Sequence, residues 1–177
     1  MIEIRKAVMN EAEAILEMYN AIIDDTEGKE ATPRWERDIY PNLSYIREAI
    51  DNKELIVAFE DGIPVGGIIR NHEMASGDEK VKWGIKADAG EIYTIHTLGV
   101  RPDHQHMNIA SKLAERVAED AKDDGMKAIR LDVIDGNYPS VKLFEKLGYS
   151  NLGRYVLDYP SQHGVGFTLM ELVLSVH

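Results

Sequence analysis

The chain has 177 residues, 44% of them apolar, with 31 acidic against 20 basic side chains and a formal charge of -11. That length supports a single domain, residues 1–177, with a hydrophobic core, and the negative balance repels phosphate backbones, which argues against a nucleic-acid partner and suits a cationic one. No run approaches the roughly 20 apolar residues that span a bilayer, and Met1-Ile2-Glu3-Ile4-Arg5-Lys6 lacks a signal-peptide core, so a cytoplasmic protein with no membrane partner is expected. With no cysteine there is no disulfide framework, Cys-rich zinc site or thiol relay, and group transfer must be direct or use another nucleophile.

Ile2 and Ile4 alternate with charged residues as in a first strand, and Ile15, Met18, Tyr19 and Ile22 mark the face of a helix over residues 10–24. Residues 25–41 read as a long polar loop carrying Trp35 and Tyr40. Asn42 offers an N-cap to a short helix with Leu43, Ile46 and Ile50 that ends near Asn52. Residues 55–60 and 63–70 are β-rich and flank Asp61-Gly62, a hairpin signal. Residues 72–90 form a polar connection, with an extended piece at 81–85 that would bring Trp83 to a sheet edge. Residues 91–100 read as a central strand stopped by Pro102. From Asn108, Ile109, Leu113, Val117 and Ala121 recur at steps of four in a helix closed by Gly125. A strand over 128–133, a helix over 139–147 capped by Gly148, and strands over 150–157 and 166–174 complete an α/β (α+β) pattern.

The junction from Leu98 to Ala110 turns from strand to helix within a few residues. The first amides of that helix lack internal partners and lie at the positive end of its dipole, a ready site for a phosphate or pyrophosphate. Here the sequence resembles the GNAT superfamily of N-acetyltransferases, whose pyrophosphate loop Arg/Gln-x-x-Gly-x-Gly/Ala follows a strand ending Val-x-Pro. Gln105, Asn108 and Ala110 stand at those loop positions after Val100-Arg101-Pro102. Asn108 replaces the usual glycine, and Asn is well tolerated in left-handed geometry; His106 replaces another frequent glycine. A second match runs from Asn137 through Ser140 and Phe144 to Gly148-Tyr149, with the spacing of the family's Asn-x-x-Ala-x-x-Leu-Tyr-x-x-x-Gly-Phe block.

The resemblance implies a GNAT-like mixed, mostly antiparallel sheet of about seven strands flanked by about four helices. It also implies acetyl-CoA as cosubstrate, held by Leu98, Gly99, Val100, Gln105, His106, Met107, Asn108, Ile109, Ala110, Asn137, Ser140 and Phe144. A backbone N–H near Leu98 to Val100 would bind the thioester carbonyl, and the family's break in this strand would open its backbone to the cofactor. The family's tyrosine general acid is Phe144 here, which has no proton to give. A thiolate of reference pKa about 8.5 leaves without much help, whereas an alkylamine of pKa about 10.4 is only about one part in a thousand free base near neutrality. Glu91 and His96 are the titratable candidates for a base on or near the central strand. Strand alternation admits a second role for each, a core histidine at 96 and a solvated strand end at 91.

An N-acetyltransferase acting on a small-molecule or peptide amine is thus expected; the other reading is a non-catalytic acyl-CoA sensor or regulatory protein on the same fold. Transfer to oxygen and a homodimer through the late strands stay open. His104-Gln105-His106 falls short of a metal site for want of a third ligand, so no metal is expected. Trp35, Tyr40 and Trp83 could line an acceptor pocket or anchor loops, and Asp24, Asp25, Glu27 and Glu30 could attract an ammonium or form a solvated face.

Overall fold

A computed structural model describes residues 1–30, 33–159 and 163–175, so residues 31–32 of the long loop lie outside the described residues. The elements run β1 (Ile2–Lys6), α1 (Ala12–Thr26), α2 (Leu43–Asp51), β2 (Leu55–Glu60), β3 (Ile63–Asn71), β4 (Ile92–Val100), α3 (Ile109–Asp123), β5 (Ala128–Ile134), α4 (Tyr138–Lys146), β6 (Ser150–Val156) and β7 (Gly166–Val173). The strands are ordered β1-β2-β3-β4-β5-β7-β6. The β4–β5 pair is parallel, as the helical crossover α3 between them requires, and β1–β2, β2–β3, β5–β7 and β6–β7 are antiparallel. This is the mixed, mostly antiparallel seven-strand, four-helix pattern that was expected.

The chain divides into two compact units, one formed by Met1–Lys29, Arg34–Arg70 and His96–Val117, the other by Glu30–Pro33, Asn71–Ile95 and Ala118–His177. In the first, Ile15, Met18, Tyr19 and Ile22 of α1 are buried with Ile46, Ala49 and Ile50 of α2 and Leu55, Val57 and Phe59 of β2. Asn42 caps α2, accepting from the Tyr45 amide at 2.9 Å. Asp61 and Gly62 both take positive φ, 49° and 79°, the geometry of a type I′ hairpin turn. Gly66 and Gly67 of β3 clear space on opposite faces. A Cβ on Gly66 would stand 3.0 Å from Ile109 of α3, and one on Gly67 2.6 Å from the Tyr19 hydroxyl of α1.

In the second unit β5 pairs with β7 from Ala128↔Val173 to Ile134↔Phe167. Arg130 and Glu171 form a buried ion pair at 2.8 Å across this ladder. Arg130 also donates to the Ile85 carbonyl at 2.8 Å, Glu171 accepts from the Gly84 amide at 2.7 Å, and the Trp83 ring lies 4.1 Å from the guanidinium. The expected extended piece at 81–85 is therefore corrected. No strand forms there, and Trp83 covers Arg130 instead of reaching a sheet edge, because a buried ion pair needs its remaining donors and acceptors satisfied. The central strand also starts one residue later than expected. Glu91 closes a 3-10 turn over Ala89–Glu91, its carboxylate accepting from the Asp88 amide at 2.9 Å. Similarly, α1 starts at Ala12, behind a 3-10 turn in which Glu11 accepts from the Val8 amide at 2.9 Å.

Candidate active site

At the entrance to α3, Gln105, His106, Met107 and Asn108 form an exposed turn, Ala110 is half-buried, and Ile109 is buried as the helix's anchor. His106 and Asn108 have φ of 68° and 59°, so both positions where glycine is frequent in the resembling family are left-handed here. The Asn108 carbonyl accepts from the Lys112 amide at 3.0 Å and opens the helix, leaving the amides of its first turn without partners within the helix. The Arg101 amide donates to the Val65 carbonyl at 2.8 Å and holds the strand end that leads into this turn.

His104, just before the turn, has both ring nitrogens engaged, Nε2 with Glu60 at 2.5 Å and Nδ1 with Asp103 at 2.8 Å; Arg101 reaches Asp103 with two nitrogens, at 3.0 and 3.1 Å. The Glu60 hydrogen bond, followed by that of Asp103, raises the His104 pKa. This favours an imidazolium close to where an anion would dock. Among the described residues, no group of three or more His, Asp or Glu stands together as a metal site.

Along β4, Thr97 takes φ of 56°. A β-branched residue in that region is a genuine outlier, costing on the order of 1–3 kcal/mol. Three tyrosines hold it. The Tyr19 hydroxyl donates to the Thr97 carbonyl at 2.8 Å, and the Thr97 hydroxyl shares hydrogen bonds with Tyr40 at 2.5 Å and Tyr45 at 3.2 Å. Burial pushes the Tyr19 and Tyr40 phenols well above their usual range, so both stay protonated. The regular alternation of β4 is interrupted here: Ile92 to Ile95 and Thr97 are buried, while His96, Leu98, Gly99 and Val100 are half-buried. A Cβ on Gly99 would stand 2.9 Å from Ile22 and 3.0 Å from the Trp35 ring. Trp35 and Tyr40, which the sequence left between pocket and anchor, are thus seated on β4. Of the acidic set, Asp24 pairs with Arg37 at 2.7 Å and Asp25 with Lys29 at 3.3 Å, while Glu27 and Glu30 are exposed.

In the second unit, the Glu91 carboxylate pairs with Lys127 at 2.7 Å and is held below the usual carboxylate range, chiefly by that contact. Such a group is a weak proton acceptor. Asn137, at the start of α4, lines a cleft with Ile134, Asp135, Tyr138, Val141, Arg154 and Thr168. Ser140 is half-buried. Phe144 is 1% exposed, and its ring meets Tyr149 edge-on at 5.0 Å. Residue counting alone missed Asp132 of β5. Lost hydration pushes its carboxyl up to about 6 against the opposing hydrogen bond from Tyr159 at 2.5 Å. A carboxylate so tuned can take and release a proton near neutrality. Its signal was Arg130 and Asp132 alternating with apolar residues in a strand. The tyrosine clamp on Thr97 carried no local signal at all.

A model of the acetyltransferase (GNAT) family matches residues 15–149. Thialysine N-epsilon-acetyltransferase of Sus scrofa is 40% identical over 63 residues, 36% of this chain and 37% of that relative, so the chain is matched to little more than a third of it. Among solved structures, an N-acetyltransferase from Staphylococcus aureus Mu50 superposes with a TM-score of 0.72 at 20% identity, covering 99% of each chain. The yncA protein of Salmonella typhimurium, solved with its cofactor acetyl-CoA, superposes with a TM-score of 0.69 at 20% identity, covering 100% of this chain and 96% of that one. At such identities the two structures speak for the fold.

Proposed function

Because the chain belongs to the acetyltransferase (GNAT) family, we propose that it moves the acetyl group of acetyl-CoA to a primary amine by direct attack on the thioester, with residues 1–177 acting as a single cytoplasmic domain. The observation that carries this is the exposed left-handed turn at His106 and Asn108 that opens α3. It presents the unpartnered amides and positive dipole end that a pyrophosphate needs. The yncA complex with acetyl-CoA supports the same cosubstrate. Gln105 to Ala110 take the pyrophosphate. A backbone N–H among Leu98, Gly99 and Val100 polarises the thioester carbonyl and takes up the oxyanion as the amine attacks.

The departing thiolate is protonated by water, Phe144 having no proton to give. Of the proposed bases, Glu91 is compromised by Lys127, which leaves His96 on β4, beside the kink at Thr97, as the better one. The acceptor is an amine, of a small molecule or of a peptide; thialysine, named for the Sus scrofa relative, is the first to try. Phe144 favours one other reading, an acyl-CoA sensor without turnover.

Titration calorimetry with acetyl-CoA and its dephosphorylated analogue, followed by thiol-release assays with a panel of amines including thialysine, decides between them. Binding with amine-dependent thiol release is expected. Binding without release from any amine would make the chain a sensor, and no binding would remove the acetyl-CoA reading.

A further inference from the structure

We propose that Thr97 is a positioning residue: clamped by Tyr19, Tyr40 and Tyr45, it sets the direction in which the backbone of Leu98 to Val100 leaves β4, and so aligns the thioester carbonyl for attack. The inference rests on the acetyl-CoA reading of that strand given above. A threonine does not choose φ of 56°; left to itself it would return to extended geometry, so the surroundings must over-determine it. They do so at both ends of the residue. Its carbonyl is fixed by Tyr19 from α1 at 2.8 Å, and its hydroxyl by Tyr40 at 2.5 Å and by Tyr45 of α2 at 3.2 Å. Tyr40 and Tyr45 also bond each other at 3.1 Å, with ring centroids 4.9 Å apart, so the clamp is one connected network.

Two glycines fit around this clamp. Gly67 leaves room for the Tyr19 hydroxyl, which a Cβ would approach to 2.6 Å, and Gly99 lies directly under Ile22 and Trp35. The segment of β4 from 97 to 99 is therefore held from α1 and from the residues between α1 and α2, and its amides cannot swing without breaking buried polar contacts. A core needing only packing would be served by apolar groups of similar size, whereas a network of hydroxyls around one strained residue specifies a backbone direction. Displacing a reacting group by about 1 Å can cost about 100-fold in rate, which is the scale on which such a device acts.

The test compares Thr97→Gly, Thr97→Ser and Tyr40→Phe with the parent protein. Melting temperature and acetyl-CoA Kd serve as controls, and kcat with the best amine of the panel and the carbonyl resonance of bound [1-13C]acetyl-CoA are the readouts. Glycine accepts positive φ without strain, so Thr97→Gly is expected to stay folded and bind acetyl-CoA within about threefold, while kcat falls on the order of 100-fold and the carbonyl resonance moves back towards its free position. Thr97→Ser, which keeps the hydroxyl, restores most of the kcat lost in the glycine variant, and Tyr40→Phe lies between them. If Thr97→Gly and Tyr40→Phe both keep the parent kcat and carbonyl resonance, the positioning role is overturned while the acetyltransferase reading stands. A parent that binds no acetyl-CoA overturns both. A parent that binds without turnover overturns the transferase reading, and the carbonyl resonance then decides Thr97 alone.

Discussion

His104 Nε2 meets Glu60 Oε2 at 2.5 Å, tying the lead-in of the α3 turn to the last residue of β2. The Glu60 contact is the largest cause of the raised His104 pKa. A group whose folded pKa is raised contributes stability that is fully present below its unfolded value, about 6.5, and lost as pH climbs through the folded value. Glu60→Gln should therefore lower the melting temperature most at acidic pH, with the gap to the parent protein closing on the alkaline side. Two-dimensional NMR titration of the imidazole should show its pKa falling in the same variant, and an unmoved pKa would remove the pairing.

Gly67→Ala places a methyl group 2.6 Å from the Tyr19 hydroxyl. Overpacking of this kind costs about 1–3 kcal/mol, measurable by urea unfolding. Pairing it with Tyr19→Phe removes the obstructing atom, so the double variant should lose less than the sum of the singles. Simple additivity would show that the two residues do not meet.

Asp132 is pushed up to about 6 by burial, above the ordinary aspartate value of about 3.9. The folded state thus holds this proton more tightly than the unfolded chain, so the charged form penalises folding. The sign is opposite to that of a salt-bridged carboxylate: the penalty is complete above pH about 6 and is relieved as pH falls towards about 4. At its fullest it is worth up to roughly 3 kcal/mol. Asp132→Asn should flatten the slope of stability against pH in that window, and a slope equal to that of the parent would place the titration elsewhere.

Asn108 sits at φ of 59° in the turn that opens α3. Asn108→Gly relieves the left-handed strain and should leave acetyl-CoA affinity equal or higher. Asn108→Glu sets a negative charge beside the proposed pyrophosphate site and should weaken it about tenfold or more, the effect shrinking with added salt. Calorimetry at two ionic strengths reads both, and an unchanged affinity in the glutamate variant would move the cofactor away from this turn.

Much of the architecture could be read from the chain because it rests on local chemistry. The type I′ turn at Asp61-Gly62, the Asn42 cap, the four-residue rhythm of Ile109, Leu113, Val117 and Ala121, and the stops at Gly125 and Gly148 depend on neighbours a few positions away. The left-handed geometry at Asn108 was expected through the resemblance, since it stands where the family usually has glycine, whereas the same geometry at His106 was not. By contrast, the extended piece expected at 81–85 failed. Val81 to Ile85 look β-prone in isolation, but Arg130 and Glu171, a strand away, claim the backbone of Gly84 and Ile85 and the face of Trp83. Glu91, read as a strand residue, is taken by its own turn and by Lys127.

By itself the sequence determined the order of the elements, the turn at the head of α3, the block from Asn137 to Tyr149 and the absence of a tyrosine at position 144. Only the tertiary structure decided that Thr97 is left-handed, that Tyr19, Tyr40 and Tyr45 converge on it, and that Asp132 rather than Glu91 carries the raised pKa. The physical reason is range. Caps, turns and amphipathic periods are written in interactions between near neighbours, whereas a strained dihedral or a shifted proton affinity is a balance among groups that only folding brings within 3 Å of one another.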